Sequence, residues 1–204
     1  MKLTEILDKY SLNGNYHNGM KYDNGGTDKN TVHSYIDNFY EEKLSQYKES
    51  NISLLEIGIQ GGASLKLWKE YFVNAKKIVG IDISEENVHP DYRNIPEVEY
   101  IYGDAYSDEI SEKITTFDII IDDGPHSEES QLIFIQKYLP KLNKGGILII
   151  EDVQTVESFD KFIKTFETLF IDNDESDNFY ELETIDLRNQ KNRYDDLIFV
   201  ITKT

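Results

Sequence analysis

A doubly wound α/β sheet is what this sequence predicts, and three stretches predict it. The apolar run Ile52 to Ile57 stops at Gly58-Ile59-Gln60-Gly61-Gly62 and gives way at once to Leu65-Lys66-Leu67-Trp68-Lys69-Glu70, which reads as strand, tight turn, helix. About one βα unit later, Lys77-Ile78-Val79-Gly80-Ile81-Asp82-Ile83-Ser84 reads as a second apolar strand ending in an acid. Phe117-Asp118-Ile119-Ile120-Ile121 is a third, and its run of isoleucines is the composition of a central parallel strand covered on both faces. A length of 204 residues suits one domain with helices on both faces of the sheet. We expect an N-terminal helical and lid segment over 1–50 and a core over 51–204.

Taken in order, Leu3, Ile6, Leu7 and Tyr10 are spaced for a short amphipathic helix. Ser11 to Gly25 is rich in Asn, Gly and Tyr, a loop or lid composition. Gly26 to Tyr35 then leads into a helix running to about Tyr47; Thr27 or Asp28 can cap it, which would leave Lys29 and His33 on the surface. Val98 to Tyr102 alternates like a strand and ends at Gly103-Asp104, where Asp104 could cap a helix starting near Asp108. A further strand, Gly145 to Ile150, ends in Glu151-Asp152. Phe159, Phe162, Ile163, Phe166, Leu169 and Phe170 have helical spacing, and the phenylalanines read as core, followed by a solvated acidic loop from Asp172 to Asp177.

Composition narrows the function. The formal charge is −18, and no Lys/Arg cluster interleaved with aromatics is present, so a polyanion such as DNA or RNA is repelled. With no cysteine there is no disulfide, no thiolate zinc site and no cysteine nucleophile. The chain shows no apolar leader or long apolar segment, so we expect a soluble, cytoplasmic protein without a membrane partner.

The glycine turn is a place where a ligand can lie against backbone; the alternative is a βα turn that needs glycine for its own sake. Asp82, at the end of the next strand, can accept both hydroxyls of a ribose at the same crevice. Nicotinamide dinucleotides and S-adenosylmethionine both present that ribose, and the glycine spacing separates them. A dinucleotide site wants Gly-x-Gly-x-x-Gly, whereas Gln60 and Ala63 stand at its second and third glycines. Glu56-x-Gly58 instead resembles the first motif of class I S-adenosylmethionine-dependent methyltransferases. That resemblance implies a Rossmann-like, seven-stranded, mostly parallel sheet. It implies donor contacts from Glu56, Gly58, Gln60, Gly61, Gly62 and Ser64 around the turn, from Asp82 on the ribose, from Asp104 on the adenine, and from Asp122.

Asp122-Asp123-Gly124-Pro125-His126 and Glu151-Asp152 bring four carboxylates to one rim if their strands are neighbours. Such crowding repels by several kcal/mol at intermediate dielectric unless a cation or shared protons intervene. Hard oxygen ligands favour magnesium, manganese or calcium, while single acids could instead cap the following helices. Asp-Asp-Gly-x-His followed by Glu-Asp resembles the metal-dependent sugar O-methyltransferases of macrolide and glycan pathways. The likeness implies Asp123, Glu151 and Asp152 as ligands of a divalent ion, taken as Mg2+, with His126 as the base beside the catalytic Asp123. Thr27-Asp28-Lys29-Asn30-Thr31-Val32-His33-Ser34-Tyr35 is similar to the segment that folds over the donor in that family, which makes Lys29, Thr31, His33 and Tyr35 donor-contact candidates. Thr184 to Arg188 and Tyr194 to Val200 look like its closing antiparallel hairpin.

Two features depart from the family. Pro125 stands where serine is usual, and no counterpart of the large N-terminal assembly domain is read, so oligomeric state and macrolide specificity are not carried over. The expected function is methyl transfer from S-adenosylmethionine to a sugar or glycan hydroxyl. A catechol-type O-methyltransferase, a non-catalytic nucleoside-binding module and, third, an NAD-dependent dehydrogenase are the alternatives; homo-oligomer formation is left open.

Overall fold

Alternation along the strands decides which face of the sheet each side chain enters. In this computed structural model, which describes residues 1–14, 24–171 and 178–204, Ile119 and Ile121 point to one face and Ile120 to the other. Both faces are apolar, so the isoleucine run is buried throughout. The first face packs on the helix α1 (Leu3–Tyr10), the turns from Ile36 to Tyr47 and the helix α3 (Ala63–Tyr71). The second packs on α5 (Glu128–Tyr138) and α6 (Glu157–Phe166). Each fully buried isoleucine contributes about 1.5–3 kcal/mol.

The sheet has seven strands: β1 (Ser53–Ile57), β2 (Lys77–Asp82), β3 (Val98–Tyr102), β4 (Phe117–Asp122), β5 (Leu142–Ile150), β6 (Tyr180–Asp186) and β7 (Leu197–Lys203). Their order is β3-β2-β1-β4-β5-β7-β6. β1 to β5 pair in parallel, and β7 joins antiparallel to both β5 and β6. This is the Rossmann-like, mostly parallel sheet with a C-terminal antiparallel hairpin that the sequence predicts. Phe159, Phe162 and Phe166 are buried, and the first two stack or pack edge-on against Phe199, as core residues do. The helix expected up to Tyr47 is present as a π-helical turn (Ile36–Tyr40), the short helix α2 (Glu41–Leu44) and a 3-10 turn (Ser45–Tyr47).

β5 starts three residues before the expected Gly145, because its register to β4 shifts between Phe117 and Ile119 and Gly145 takes φ 78° there. Most of the expected Ser11 to Gly25 loop, the Asp172 to Asp177 loop and His17 lie outside the described residues. Among the described residues no helix is long and apolar enough to cross a membrane.

The strand order reverses between β1 and β4, and the chain spreads to opposite sides from there, which leaves a crevice at their carboxyl ends. Gly58 occupies that point with φ 82°, and a Cβ on it would stand 1.9 Å from the carbonyl oxygen of Asp123. No other residue fits. Backbone bonds continue the ladder past the strand ends: Gly58 N to Ile81 O, Gly103 N to Asp82 O, Asp123 N to Ile57 O and Glu151 N to Asp122 O. Gly58, Asp82, Gly103, Asp123 and Glu151 are thereby held along one rim.

The opposite end of the sheet is tied by Asp118. Its Oδ2 accepts from Ser53 N at 2.7 Å and Ser53 Oγ at 2.8 Å, and its Oδ1 accepts from Asn143 Nδ2 at 2.9 Å. Burial pushes this carboxyl up, but the three hydrogen bonds and nearby Lys76 hold it below its ordinary value. A depressed folded-state pKa contributes stability that is present above the unfolded value of about 3.9 and is lost as pH falls through the folded one. Asp118→Ala is therefore expected to cost about 1–3 kcal/mol near neutrality, with the gap to wild type closing in acid; denaturant titrations at two pH values measure it.

Candidate active site

The crevice opens into a cavity of about 420 Å³ whose lining includes Gly58, Gln60, Asp82, Asp104, Asp123 and His126. These come from four strand ends and from both sequence stretches that carried the donor and metal expectations. Asp82 is oriented before any ligand arrives: its Oδ2 accepts from Gln60 N at 2.8 Å, and its Oδ1 accepts from Asn87 Nδ2 at 2.7 Å and Ser84 N at 3.3 Å. A carboxylate has about four acceptor sites, and three are taken here, so about one is left for a ribose hydroxyl. Asp104 is exposed, with Oδ1 accepting from Tyr106 N at 2.9 Å, while the cap of the helix α4 (Asp108–Ser111) is Ser107.

Other donor candidates sit further from the cavity. Gly61, Gly62 and Ser64 line a separate space of about 20 Å³ with Gly26, Thr27 and Asp28, where the N-terminal segment lies against the glycine turn. Glu56 is fully buried and accepts from Trp68 Nε1 at 3.1 Å. Asp122 is buried behind the rim and accepts from the Tyr106 hydroxyl; burial raises its carboxyl to about 7 despite that bond. Thr31 is exposed, with its hydroxyl 3.5 Å from Thr27 O. Lys29, His33 and Tyr35 are buried against the acids instead of lying on the surface.

The acids form one connected network. Lys29, 1 % exposed, donates to Asp123 Oδ2 at 2.7 Å and to Glu151 Oε2, and it faces Glu56 Oε1 at 3.4 Å. The other oxygen of Glu151 accepts from the Tyr40 hydroxyl. Tyr35 donates to Asp152 Oδ1, and His33 Nδ1 lies 2.5 Å from Asp196 Oδ1 and 3.4 Å from Asp152 Oδ1. Burial alone would push His33 toward its neutral form, but Asp152, Asp28 and Asp196 raise its pKa above the ordinary value. For Asp123 and Glu151, burial raises the carboxyl and Lys29 lowers it, with neighbouring acids adding to the rise. One ammonium does not satisfy this many carboxylates.

On the cavity side, His126 Nε2 lies 3.6 Å from Asp152 Oδ2 and 4.0 Å from Asp123 Oδ1. Asp123, His126 and Asp152 each offer a ligand atom within 4.8 Å of the others, as do His33, Asp195 and Asp196. His126 and Asp152 hold left-handed backbones, at φ 58° and 53°, a strain of order 1–3 kcal/mol each that collects at functional sites. Pattern reading missed Tyr40, Tyr106, Asp195 and Asp196. The paired acids of the last two, beside the closing hairpin, were the one available signal.

Residues 55–153 match a family model described as a methyltransferase domain. The matched residues include most of β1, all of β2 to β5 and, apart from Asp28, the lining of the cavity. The chain is 30% identical over 141 residues to the 8-demethyl-8-alpha-L-rhamnosyl tetracenomycin-C 2'-O-methyltransferase of Streptomyces olivaceus, a match covering 64% of this chain and 36% of the relative. It is 32% identical over 124 residues to the mycinamicin VI 2''-O-methyltransferase of Micromonospora griseorubida, covering 57% and 31%. The matches thus span about a third of the length of these relatives. In fold, the whole chain overlays 54% of a mycinamycin-pathway methyltransferase solved with Mg, SAH and mycinamycin VI, at TM-score 0.69 and 21% identity.

Proposed function

We propose that the methyltransferase domain transfers the methyl group of S-adenosylmethionine to a sugar hydroxyl, with a divalent ion as cofactor. The observation that carries this is the joining of two features at one rim: a cavity bounded by Gly58, Asp82 and Asp104, and the constellation Asp123, His126 and Asp152 at its edge. The relatives named for methylation of rhamnosyl and macrolide compounds support a sugar acceptor.

The donor set fits a hard divalent ion. Ligand atoms of Asp123, His126 and Asp152 lie within 4.8 Å of one another, and the surrounding acids outnumber the buried cations. Asp123 and Asp152 would hold the ion, with Glu151 as the third carboxylate; when bound, it would supply Lewis-acid polarisation of the acceptor hydroxyl. The chain's own residues do the rest. Asp82 fixes the donor through its ribose, and the Gly58 turn lets it lie against backbone. His126 Nε2 takes the proton as the acceptor oxygen attacks the methyl carbon; the carbon–sulfur bond breaks, and neutral S-adenosylhomocysteine is left. Tyr35 and His33 hold Asp152 Oδ1, while Oδ2 lies 3.6 Å from His126 Nε2.

Asp82→Ala is expected to weaken binding of S-adenosylhomocysteine by about 1.5–3 kcal/mol for each charged hydrogen bond lost. Calorimetry reads it directly. Binding of NAD with no binding of either sulfur nucleoside would sink the donor assignment.

A further inference from the structure

Lys29 lies where part of the proposed metal chemistry should be. Its ammonium joins Asp123 Oδ2 to Glu151 Oε2, two carboxylates of the expected ligand set, while Asp123 Oδ1 and Asp152 Oδ2 face His126 Nε2. Hard divalent ions approach carboxylate oxygen to about 2.0–2.6 Å, so an ion held by the oxygens that Lys29 now occupies would need the place of the ammonium. Two cations at that spacing repel strongly in a buried site. Lys29 also has somewhere to go. Glu56 Oε1 is buried, has no hydrogen-bond partner and lies 3.4 Å from Nζ, while Oε2 of the same residue is held by Trp68. Lysine suits such a movement, being a compact charge on a flexible four-carbon stem.

We infer that Lys29 is a built-in counter-ion of the metal pocket: it clamps Asp123 to Glu151 while no divalent ion is bound, and passes to Glu56 when one binds. The inference rests on the metal-dependent reading above. Binding then proceeds in two stages, with Asp123 Oδ1 and Asp152 Oδ2 receiving the ion and Glu151 completing its shell once the lysine has moved. The motif around Lys29 thereby couples the N-terminal segment to occupancy of the pocket, since Lys29 follows Asp28 at the cavity edge and Thr27 at the glycine turn.

The test is Mn2+ affinity of the full chain without donor, read by electron paramagnetic resonance. Lys29→Met should bind Mn2+ about tenfold more tightly than wild type, because the competing charge is gone. Its melting temperature in EDTA should fall and should recover on adding Mn2+ by more than wild type gains. Glu56→Gln, which removes the charge of the retreat position and keeps its shape, should bind Mn2+ more weakly than wild type, and it carries the test by itself if Lys29→Met does not fold. Equal or weaker binding by Lys29→Met, or equal or tighter binding by Glu56→Gln, overturns the inference. S-adenosylhomocysteine is titrated separately. If it binds while wild type ignores Mn2+, the counter-ion falls and the donor site stands; if the Mn2+ shifts occur without nucleoside binding, the donor site falls and the counter-ion stands.

Discussion

His126→Ala is expected to lose about 10²–10⁴-fold in kcat, the usual worth of a general base, while binding S-adenosylhomocysteine as wild type does. The chain has four histidines, and among the described ones His126 is the one beside Asp123 and Asp152 at the cavity. Its side chain is about one-third exposed there, whereas His33 is buried against Asp196. A purely structural role would need the ring to anchor the Gly124-Pro125 turn, yet Nδ1 is buried without a hydrogen-bond partner. Steady-state kinetics with a melting curve separates the two: lost thermal stability with near-normal turnover would move the base role to a carboxylate or to water.

Removing the metal site should be at least as damaging. Asp152→Asn keeps the shape of the side chain and a partner for the Tyr35 hydroxyl, but it removes the charge facing His126. Loss of an outer-shell partner alone typically costs about 10–100-fold in metal affinity or activity, so loss of a direct ligand is expected to exceed about 100-fold. EDTA should abolish wild-type turnover, and magnesium should restore it. Turnover that persists in chelator, with Asp152→Asn still active, would make these acids structural.

β1 to β5 were legible because each carries its own local signal: apolar or alternating runs of strand length, a glycine cluster after β1, and acids at the ends of β2, β4 and β5; the closing hairpin was read only from the family resemblance, and β6 begins four residues before the expected Thr184. The rim followed from them, since a doubly wound sheet brings those ends together. Lys29 shows where such reading stops. A lysine in a polar stretch reads as surface, and only tertiary packing sets it against Glu151, 122 positions away. Charge counting did indicate that the rim needs a cation, but it could not tell an ammonium of the chain from a metal ion. Tyr40 was hidden for the same reason: a tyrosine within a helical stretch looks like core, and its bond to Glu151 spans 111 positions. β5 was read as starting at Gly145, three residues late, because a bulge inside a strand has no distinct pattern of its own.

The central claim is methyl transfer from S-adenosylmethionine to a sugar hydroxyl. Its most direct test incubates the full chain with methyl-labelled donor and magnesium against a panel of glycosylated compounds and nucleotide sugars, with catechols in parallel, and reads products by mass spectrometry. The account predicts a sugar product heavier by one labelled methylene unit, formed with stoichiometric S-adenosylhomocysteine and absent in EDTA. Methylation of the catechols with none of any sugar, or sugar methylation that proceeds fully in EDTA, would contradict it.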